Sequence, residues 1–201
     1  MNGSLFIVSG PSGVGKTTLV TRFIEENGDA YNVKRCVAFT TRDSRVGEVD
    51  GKDYHFVSSE EFDRKISEGF FLEWSDQYIY KYGTPRYILD DLKRGQSYIL
   101  IIDRVGARKI VSKYPNESIV TVLIAVSSVD ILKDRLESRD SEDKEARDVR
   151  LKVSFNEIKQ EKSEKLYQFT LLNDDLEKSF KGLNALFKQV FSNLKKIIEK
   201  M

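Results

Sequence analysis

One short segment limits what this chain can fold into. Residues 10–17 read G-P-S-G-V-G-K-T; they follow an apolar run at residues 5–8 and precede Leu19, Val20 and Phe23 at helical spacing. This is a Walker A phosphate-binding sequence with a strand before it and a helix after it. A glycine-rich turn that binds no ligand is the alternative, but the lysine and threonine at these positions favour a bound nucleoside triphosphate.

The residue types of this segment match the chemistry of a polyphosphate. Glycines allow backbone angles that a Cβ would forbid, so successive N–H groups can point at the phosphates beside the positive end of the helix. Lys16 adds a charge near the β- and γ-phosphates, and the Thr17 hydroxyl can ligate Mg²⁺. The residues expected around ATP are Gly10, Pro11, Ser12, Gly13, Val14, Gly15, Lys16, Thr17 and Thr18.

Bulk composition excludes several classes of protein. The chain has 201 residues, with 33 Lys+Arg against 32 Asp+Glu, a balance that argues against a dedicated nucleic-acid binder. Its single cysteine, Cys36, excludes an intramolecular disulfide and a multi-cysteine zinc site. Its single histidine, His55, cannot build a metal site by itself. No apolar run is long enough to span a bilayer and no leader pattern is evident. A soluble cytoplasmic protein is expected.

Most of the chain has the pattern of an α/β domain. Nearly continuous apolar segments predict buried parallel strands at Leu5–Ser9, Tyr98–Ile102 and Ile119–Ala125, with a last short strand at Phe169–Leu172. The segments between them predict helices at Lys16–Glu26, Val105–Lys113 and Val129–Glu137. Alternation of this kind predicts a parallel β-sheet core flanked by helices.

The segment 33–95 has a different pattern and predicts an inserted small α+β lobe. Its short strands are expected at Arg35–Phe39, Tyr54–Val57 and Phe71–Trp74, separated by polar turns. Ser58-x-x-Glu61 is typical of a capping box, and Thr84-Pro85 of a helix N-cap followed by proline. The core domain is therefore expected to comprise residues 1–32 and 96–201.

Two further stretches each allow two interpretations. Residues 135–150 are almost all charged or small, typical either of a solvated helix face or of a lid over the phosphates, with Arg135 and Arg139 on one face. Near the end of the chain an apolar heptad stripe favours a helix docked on its own domain over a dimer seam. The stripe comprises Leu176, Phe180, Leu183, Phe187, Val190, Leu194 and Ile197.

The inserted lobe carries the most specific pattern. Thr41-Arg42-x-x-Arg45-x-Gly47-Glu48 is followed by Gly51-x-Asp53-Tyr54, then by Glu73 and by Tyr82-Gly83-Thr84. Together with the phosphate loop, these residues resemble the guanylate kinases, P-loop kinases of nucleoside monophosphates. The resemblance runs from the phosphate loop to Asn173-Asp174-Asp175, nearly the whole chain.

The resemblance implies a function and a set of site residues. It implies transfer of the γ-phosphoryl group of ATP to GMP, giving ADP and GDP, in guanine nucleotide synthesis and salvage, with Mg²⁺ as cofactor. GMP would be held by Arg42, Arg45, Tyr54, Glu73, Tyr82, Thr84 and Asp103. Catalysis would use Lys16, Arg42, Arg135, Arg139 and Arg150, with Thr17 and Asp103 on the metal and Asn173 near the adenine. A cytoplasmic monomer or homodimer acting on small molecules, without nucleic acid or membrane, is expected.

The chemistry of the acceptor agrees with that resemblance. Arginine forks and tyrosine hydroxyls suit a phosphate, and a carboxylate can accept from the two adjacent N–H donors of guanine but not from the N1 acceptor of adenine. Two other functions stay open: a catalytically weak protein-binding domain of the same fold, and a P-loop kinase for a different nucleotide acceptor. The departures from the family pattern are Ala38, Ile101, Val105, Ser138 and Asp140, which affect the expected base pocket and lid.

Overall fold

The computed structural model describes residues 3–77, 80–115, 118–137 and 164–198. Most of the predicted lid lies outside these residues, including Ser138, Arg139, Asp140 and Arg150. The mixed α/β fold is confirmed: a parallel sheet is flanked by helices, and a second small sheet lies beside it.

A five-stranded sheet forms the core. Its strands are β1 (Leu5–Ser9), β2 (Val33–Arg35), β7 (Ser97–Ile101), β8 (Ile119–Ala125) and β9 (Phe169–Leu172). They lie in the order β2-β7-β1-β8-β9, and every pairing between them is parallel. All five residues of β1 are buried, as a central strand covered on both faces requires. The carboxyl ends of these strands therefore meet at one edge, where the phosphate loop leaves β1.

Four helices cover the two faces of this sheet. They are α1 (Lys16–Tyr31), α4 (Arg104–Lys113), α5 (Val129–Glu137) and α6 (Leu176–Ile198). The ring of Phe187 in α6 meets Phe6 of β1 and Phe23 of α1 edge-on, with ring centroids 4.8 and 4.5 Å apart. From Phe180 to Val190 the stripe of α6 therefore packs on its own domain, as predicted, and the ring centroid of Phe191 lies 4.9 Å from that of Phe6.

A four-stranded sheet forms the second lobe. Its strands are β3 (Phe39–Thr40), β4 (His55–Phe56), β5 (Phe71–Gln77) and β6 (Tyr80–Pro85), in the order β4-β3-β6-β5. The pairs β3–β6 and β5–β6 are antiparallel, while β3–β4 is parallel. Helix α2 (Ser59–Ser67) packs Phe62 against Phe39 and Phe71 in a small core of its own, and α3 (Ile88–Lys93) follows the lobe.

Two local predictions were wrong. The single strand expected at Arg35–Phe39 is divided: β2 ends in the large sheet, the Cys36 N–H still donates to Ile99, and β3 begins in the small sheet. Thr84-Pro85 is not a helix start, because both residues complete β6 and the Thr84 hydroxyl bonds a strand neighbour instead. The capping box is present, since the Ser58 hydroxyl accepts from the Glu61 N–H at 3.2 Å.

Candidate active site

The phosphate loop takes a conformation that depends on glycine at two positions in particular. Gly10 has φ of 142°, and a Cβ there would lie 2.0 Å from the carbonyl oxygen of Ile124 in β8. Gly15 has φ of 88°, and a Cβ there would lie 2.5 Å from the side-chain nitrogen of Asn173. Gly10 therefore lets the loop lie directly against β8, and Gly15 lets it lie against the residue that follows β9.

Lys16 closes over this loop. Its ammonium donates to the carbonyl oxygens of Gly10 and Pro11 at 2.6 and 2.8 Å. Lys16 is also the first residue of α1, whose initial N–H groups carry the positive end of the helix dipole. Thr17 and Thr18 follow in the same turn and are exposed. The loop, the helix start and the ammonium together form a concave, positively charged cradle of the kind that binds phosphates.

Asn173, which directly follows the edge strand β9, supports the phosphate loop. It is 2% exposed, and its side-chain nitrogen donates to the Val14 carbonyl at 2.6 Å. Its own N–H donates to the carbonyl of Ala125 at 2.7 Å, which fixes it beside β8. The Arg135 guanidinium donates to the carbonyl of the next residue, Asp174, at 3.2 Å. Asn173 and Arg135 are expected to have different roles, one near the adenine and one in the lid. The structure places both on the same side of the phosphate loop.

Arg42 is held in the second lobe by a residue that sequence analysis gave no role. One of its terminal nitrogens donates to both carboxylate oxygens of Glu48, at 2.8 and 2.9 Å, and the other donates to the Asp43 carbonyl at 2.6 Å. Glu48 also accepts from the Arg45 N–H at 2.8 Å. Burial opposes the charge on Arg42, but the Glu48 bond raises the pKa of Arg42 above its usual value. Glu48 was visible as an acid within the same short motif.

The two tyrosines predicted to bind phosphate lie together next to Arg42. The ring centroids of Tyr54 and Tyr82 are 6.0 Å apart, and the Arg42 guanidinium lies 5.7 Å from the Tyr54 ring. Burial is the main cause that raises the pKa of Tyr54, so its hydroxyl keeps its proton at neutral pH. Arg45 lies in the same loop, half-buried. This cluster offers a guanidinium and neutral hydroxyl donors over a small area.

Glu73 and Thr84 form a second cluster on neighbouring strands. They are paired across β5 and β6, and the Thr84 hydroxyl donates to one carboxylate oxygen of Glu73 at 2.8 Å. Glu73 is only 8% exposed, and its other oxygen is buried without a hydrogen-bond partner among the described residues. Burial raises the pKa of Glu73 to about 7. A buried acceptor of this kind can accept a hydrogen bond from a ligand donor.

Asp103 joins this cluster to the core domain. It caps α4 by accepting the Gly106 N–H at 2.8 Å, and its second oxygen accepts the Ser75 hydroxyl at 3.3 Å. Gly106 passes so close to Glu73 that a Cβ there would lie 3.0 Å from the second carboxylate oxygen of Glu73. The sequence motifs do not indicate Ser75, although strand alternation puts it on the same face as Glu73.

Comparison with known proteins agrees with this geometry. The guanylate kinase family model matches residues 2–190. The chain belongs to the guanylate kinase family. A guanylate kinase of Chlamydia felis is 42% identical, with 91% of this chain and 86% of that protein covered. One from Symbiobacterium thermophilum is 40% identical, over 92% and 84% of the two chains.

A solved guanylate kinase shares the fold. The crystal structure of guanylate kinase from Anaplasma phagocytophilum superposes with a TM-score of 0.75 at 29% identity, covering 94% of this chain and 86% of that one. The predicted family, P-loop kinase fold and guanylate kinase activity are confirmed at this level. Among the described residues of this family member, no helix combines the length and apolar character needed to cross a membrane.

Proposed function

We propose that this protein transfers the γ-phosphoryl group of ATP to GMP, giving ADP and GDP. The observation that carries the proposal is the second carboxylate oxygen of Glu73, which is buried without a partner among the described residues. Guanine presents adjacent N1–H and amino donors, which would satisfy that oxygen and share the other with Thr84. Adenine would place an acceptor against it, and the cost of that mismatch supports discrimination.

ATP would occupy the phosphate loop. The residues from Gly10 to Thr18 would surround its phosphates, with the ammonium of Lys16 moving from the loop carbonyls to the β- and γ-phosphate oxygens. Asn173 would lie near the adenine of ATP. Family membership supports a nucleoside triphosphate at this loop.

Mg²⁺ would enter this site with ATP. The described residues contain no group of three acidic, His or Cys side chains able to hold a metal on their own. That fits Mg²⁺, which usually keeps several waters and binds through phosphates with one or two protein oxygens. Thr17, exposed at the helix start, would supply one such oxygen. Asp103 would supply a second oxygen, since each of its carboxylate oxygens accepts one protein hydrogen bond and keeps a further lone pair. The ion supplies neutralisation of phosphate charge.

The acceptor phosphate would bind at the Arg42 cluster. Arg42 and the half-buried Arg45 would supply charged donors, and the hydroxyls of Tyr54 and Tyr82 would add neutral ones. Glu48 holds the Arg42 guanidinium in place through an ion pair within the protein. A preorganised donor set of this kind binds a phosphate without first having to order its own side chains.

The reaction needs positioning rather than proton removal. An oxygen of the GMP phosphate is already ionised; it attacks the γ-phosphorus, a new P–O bond forms, and the bond to the β-phosphate oxygen breaks to release ADP. Lys16 and Arg42, together with Arg135, Arg139 and Arg150 from the lid, would neutralise charge on the transferring group. Water must be excluded during this step, which gives closure of the two lobes a purpose.

The parts that move are also proposed. Residues 1–32 and 96–201 would form the core with a lid at about 135–150, and residues 33–95 the acceptor lobe. Within residues 33–95, β2 pairs with the core sheet and α3 packs against that sheet. Closure would therefore move mainly the residues between β2 and α3. A cytoplasmic location, small-molecule substrates and a monomer or homodimer complete the proposal.

A substrate panel tests this function. Purified protein with ATP and Mg²⁺ is offered GMP, dGMP, IMP, AMP, CMP and UMP, and ADP formation is followed. We expect GMP and dGMP to be used, IMP to be used poorly because it lacks the amino donor, and the others to be inactive. Turnover of another acceptor in preference to GMP would establish a different kinase. Absence of turnover with every acceptor would favour the protein-binding alternative.

A further inference from the structure

Arg35 connects the two sheets. It is the last residue of β2, at the edge of the five-stranded sheet, yet its guanidinium reaches the acceptor lobe. One terminal nitrogen donates to the Asp53 carbonyl at 3.0 Å, and the other lies 3.5 Å from the Asp53 carboxylate. The Arg35 and Asp53 side chains are 16% and 23% exposed, so this pair is less screened than an ordinary surface ion pair.

Asp53 in turn shapes the loop that precedes Tyr54. Its second carboxylate oxygen accepts the Val49 N–H at 2.9 Å, and its own N–H donates to the Val49 carbonyl at 2.9 Å. The Gly51 N–H then donates to the carbonyl of Tyr54 at 2.8 Å. These bonds fold residues 49–54 into a compact turn, and Tyr54 leaves it beside Arg42.

The charge of Arg35 also reaches Tyr54 directly. Burial raises the pKa of that hydroxyl, and the nearby positive charges of Arg35 and Arg42 act in the opposite direction. Arg35 is therefore near enough to add to the positive field around Tyr54. It lies outside the sequence motifs that predict the acceptor site.

We infer that Arg35 is a positioning residue for the acceptor phosphate, acting from the core sheet through Asp53 on the turn that presents Tyr54. This inference rests on the proposed function. Arg35 does not touch the phosphate; it holds the phosphate-binding turn through Asp53 from the end of β2. Its loss should therefore weaken GMP binding while the chemical step, once GMP is bound, proceeds nearly as before.

Three variants test this role. Arg35→Gln removes the charge and the fork, Arg35→Lys keeps the charge alone, and Lys34→Gln is the matched control, because Lys34 is the exposed preceding residue of the same strand. Calorimetric GMP affinity and steady-state kinetics with each nucleotide varied are measured. We expect Arg35→Gln to raise the GMP dissociation constant and KM about tenfold, the scale of one charged hydrogen bond.

The same variant should leave kcat and the KM for ATP within about twofold, and Arg35→Lys should recover part of the loss. In a double-mutant cycle, Asp53→Asn should cost less in the Arg35→Gln background than in the wild type, because the two side chains share one ion pair. GMP affinity of Arg35→Gln equal to that of Lys34→Gln would overturn the inference, as would additive losses in the cycle. If Arg35→Gln unfolds, the GMP affinity of Arg35→Lys is measured instead, alone and combined with Asp53→Asn. Wild-type protein that does not bind GMP would instead overturn the proposed function.

Discussion

The side-chain nitrogen of Asn173 donates to the Val14 carbonyl at 2.6 Å, so the residue after the last strand holds the phosphate loop from behind. The same nitrogen occupies the space that a side chain at position 15 would need. Asn173 is therefore in contact with the loop itself, and its role extends beyond the adenine side expected for it.

Asn173→Ala should weaken ATP use. It leaves the buried Val14 carbonyl unsatisfied, at a cost of about 1–3 kcal/mol, so the KM for ATP should rise about tenfold or more while the KM for GMP changes little. Asn27→Ala is the control, because Asn27 also donates to a carbonyl, that of Phe23, but away from the loop. Equal effects of the two variants on ATP would contradict the role given to Asn173.

Lys16→Met should abolish phosphoryl transfer without unfolding the protein. Lys16 is half-buried and its ammonium contacts loop carbonyls rather than the hydrophobic core. Losing this charge should cost about 3–4 kcal/mol in the barrier, as for other electrostatic clamps, or at least a few hundredfold in kcat. Circular dichroism should be unchanged. Lys34→Met, exposed on β2, is the charge-matched control and should keep full turnover.

GMP affinity should depend on pH through Glu73. Its pKa of about 7 means that the carboxylate loses its charge below neutrality, and guanine needs both oxygens as acceptors. Affinity should therefore fall about tenfold between pH 8 and pH 6. Because the GMP phosphate also titrates, Glu73→Gln is measured in parallel: it should bind weakly at both values and lose the part of the pH dependence that Glu73 supplies. The same pH dependence of GMP affinity in the wild type and in Glu73→Gln would show that Glu73 does not bind the guanine.

The same carboxylate predicts how stability changes with pH. The pKa of Glu73 is raised from 4.5 in a free side chain to about 7, so the folded protein binds more protons than the unfolded chain in this interval. The contribution of Glu73 to the free energy of unfolding is fully present below about pH 4.5 and is lost as pH rises through 7. Denaturant titrations should show this loss in the wild type and not in Glu73→Gln.

Gly106→Ala should damage both stability and the base pocket. At an ordinary helix position this change stabilises by about 1 kcal/mol. Here the new Cβ would lie 2.4 Å from the Ile102 side chain and 3.0 Å from Glu73, so overpacking should cost about 1–3 kcal/mol. We expect a lower Tm and weaker GMP binding. Val105→Ala, at the exposed preceding residue, should change neither, and a raised Tm for Gly106→Ala would show that the pocket has room.

The core of the fold was predictable because its signals are local. Continuous apolar runs identified β1 and β8 within their observed bounds, and the glycine–lysine spacing identified the loop that leaves β1. The division of the chain after Arg35 was not predictable in this way. Both halves of that segment are suitable for a strand, and only the pairing of β2 with β7 decides which sheet each half joins.

The contacts between the proposed site residues were not predictable from the sequence. The resemblance to the guanylate kinases implies roles for Arg42, Glu73 and Thr84, yet the local pattern also predicts a helix cap at Thr84, because a threonine before proline is typical of one. Its partner across the sheet, Glu73, is 11 residues away and determines its actual role. Likewise Ser75 meets Asp103 only through the packing of β5 on α4, a contact over 28 residues that no local pattern encodes.

The distance along the chain between Val14 and Asn173 has a consequence for biosynthesis. The two residues are 159 positions apart, and the Phe187 ring that packs against α1 follows later still. A ribosome releases the nucleotide-binding loop early but its supporting residue and covering helix only much later. Nascent chains that carry the loop should therefore lack a formed nucleotide site until α6 has emerged, so ATP cannot stabilise the partly made protein.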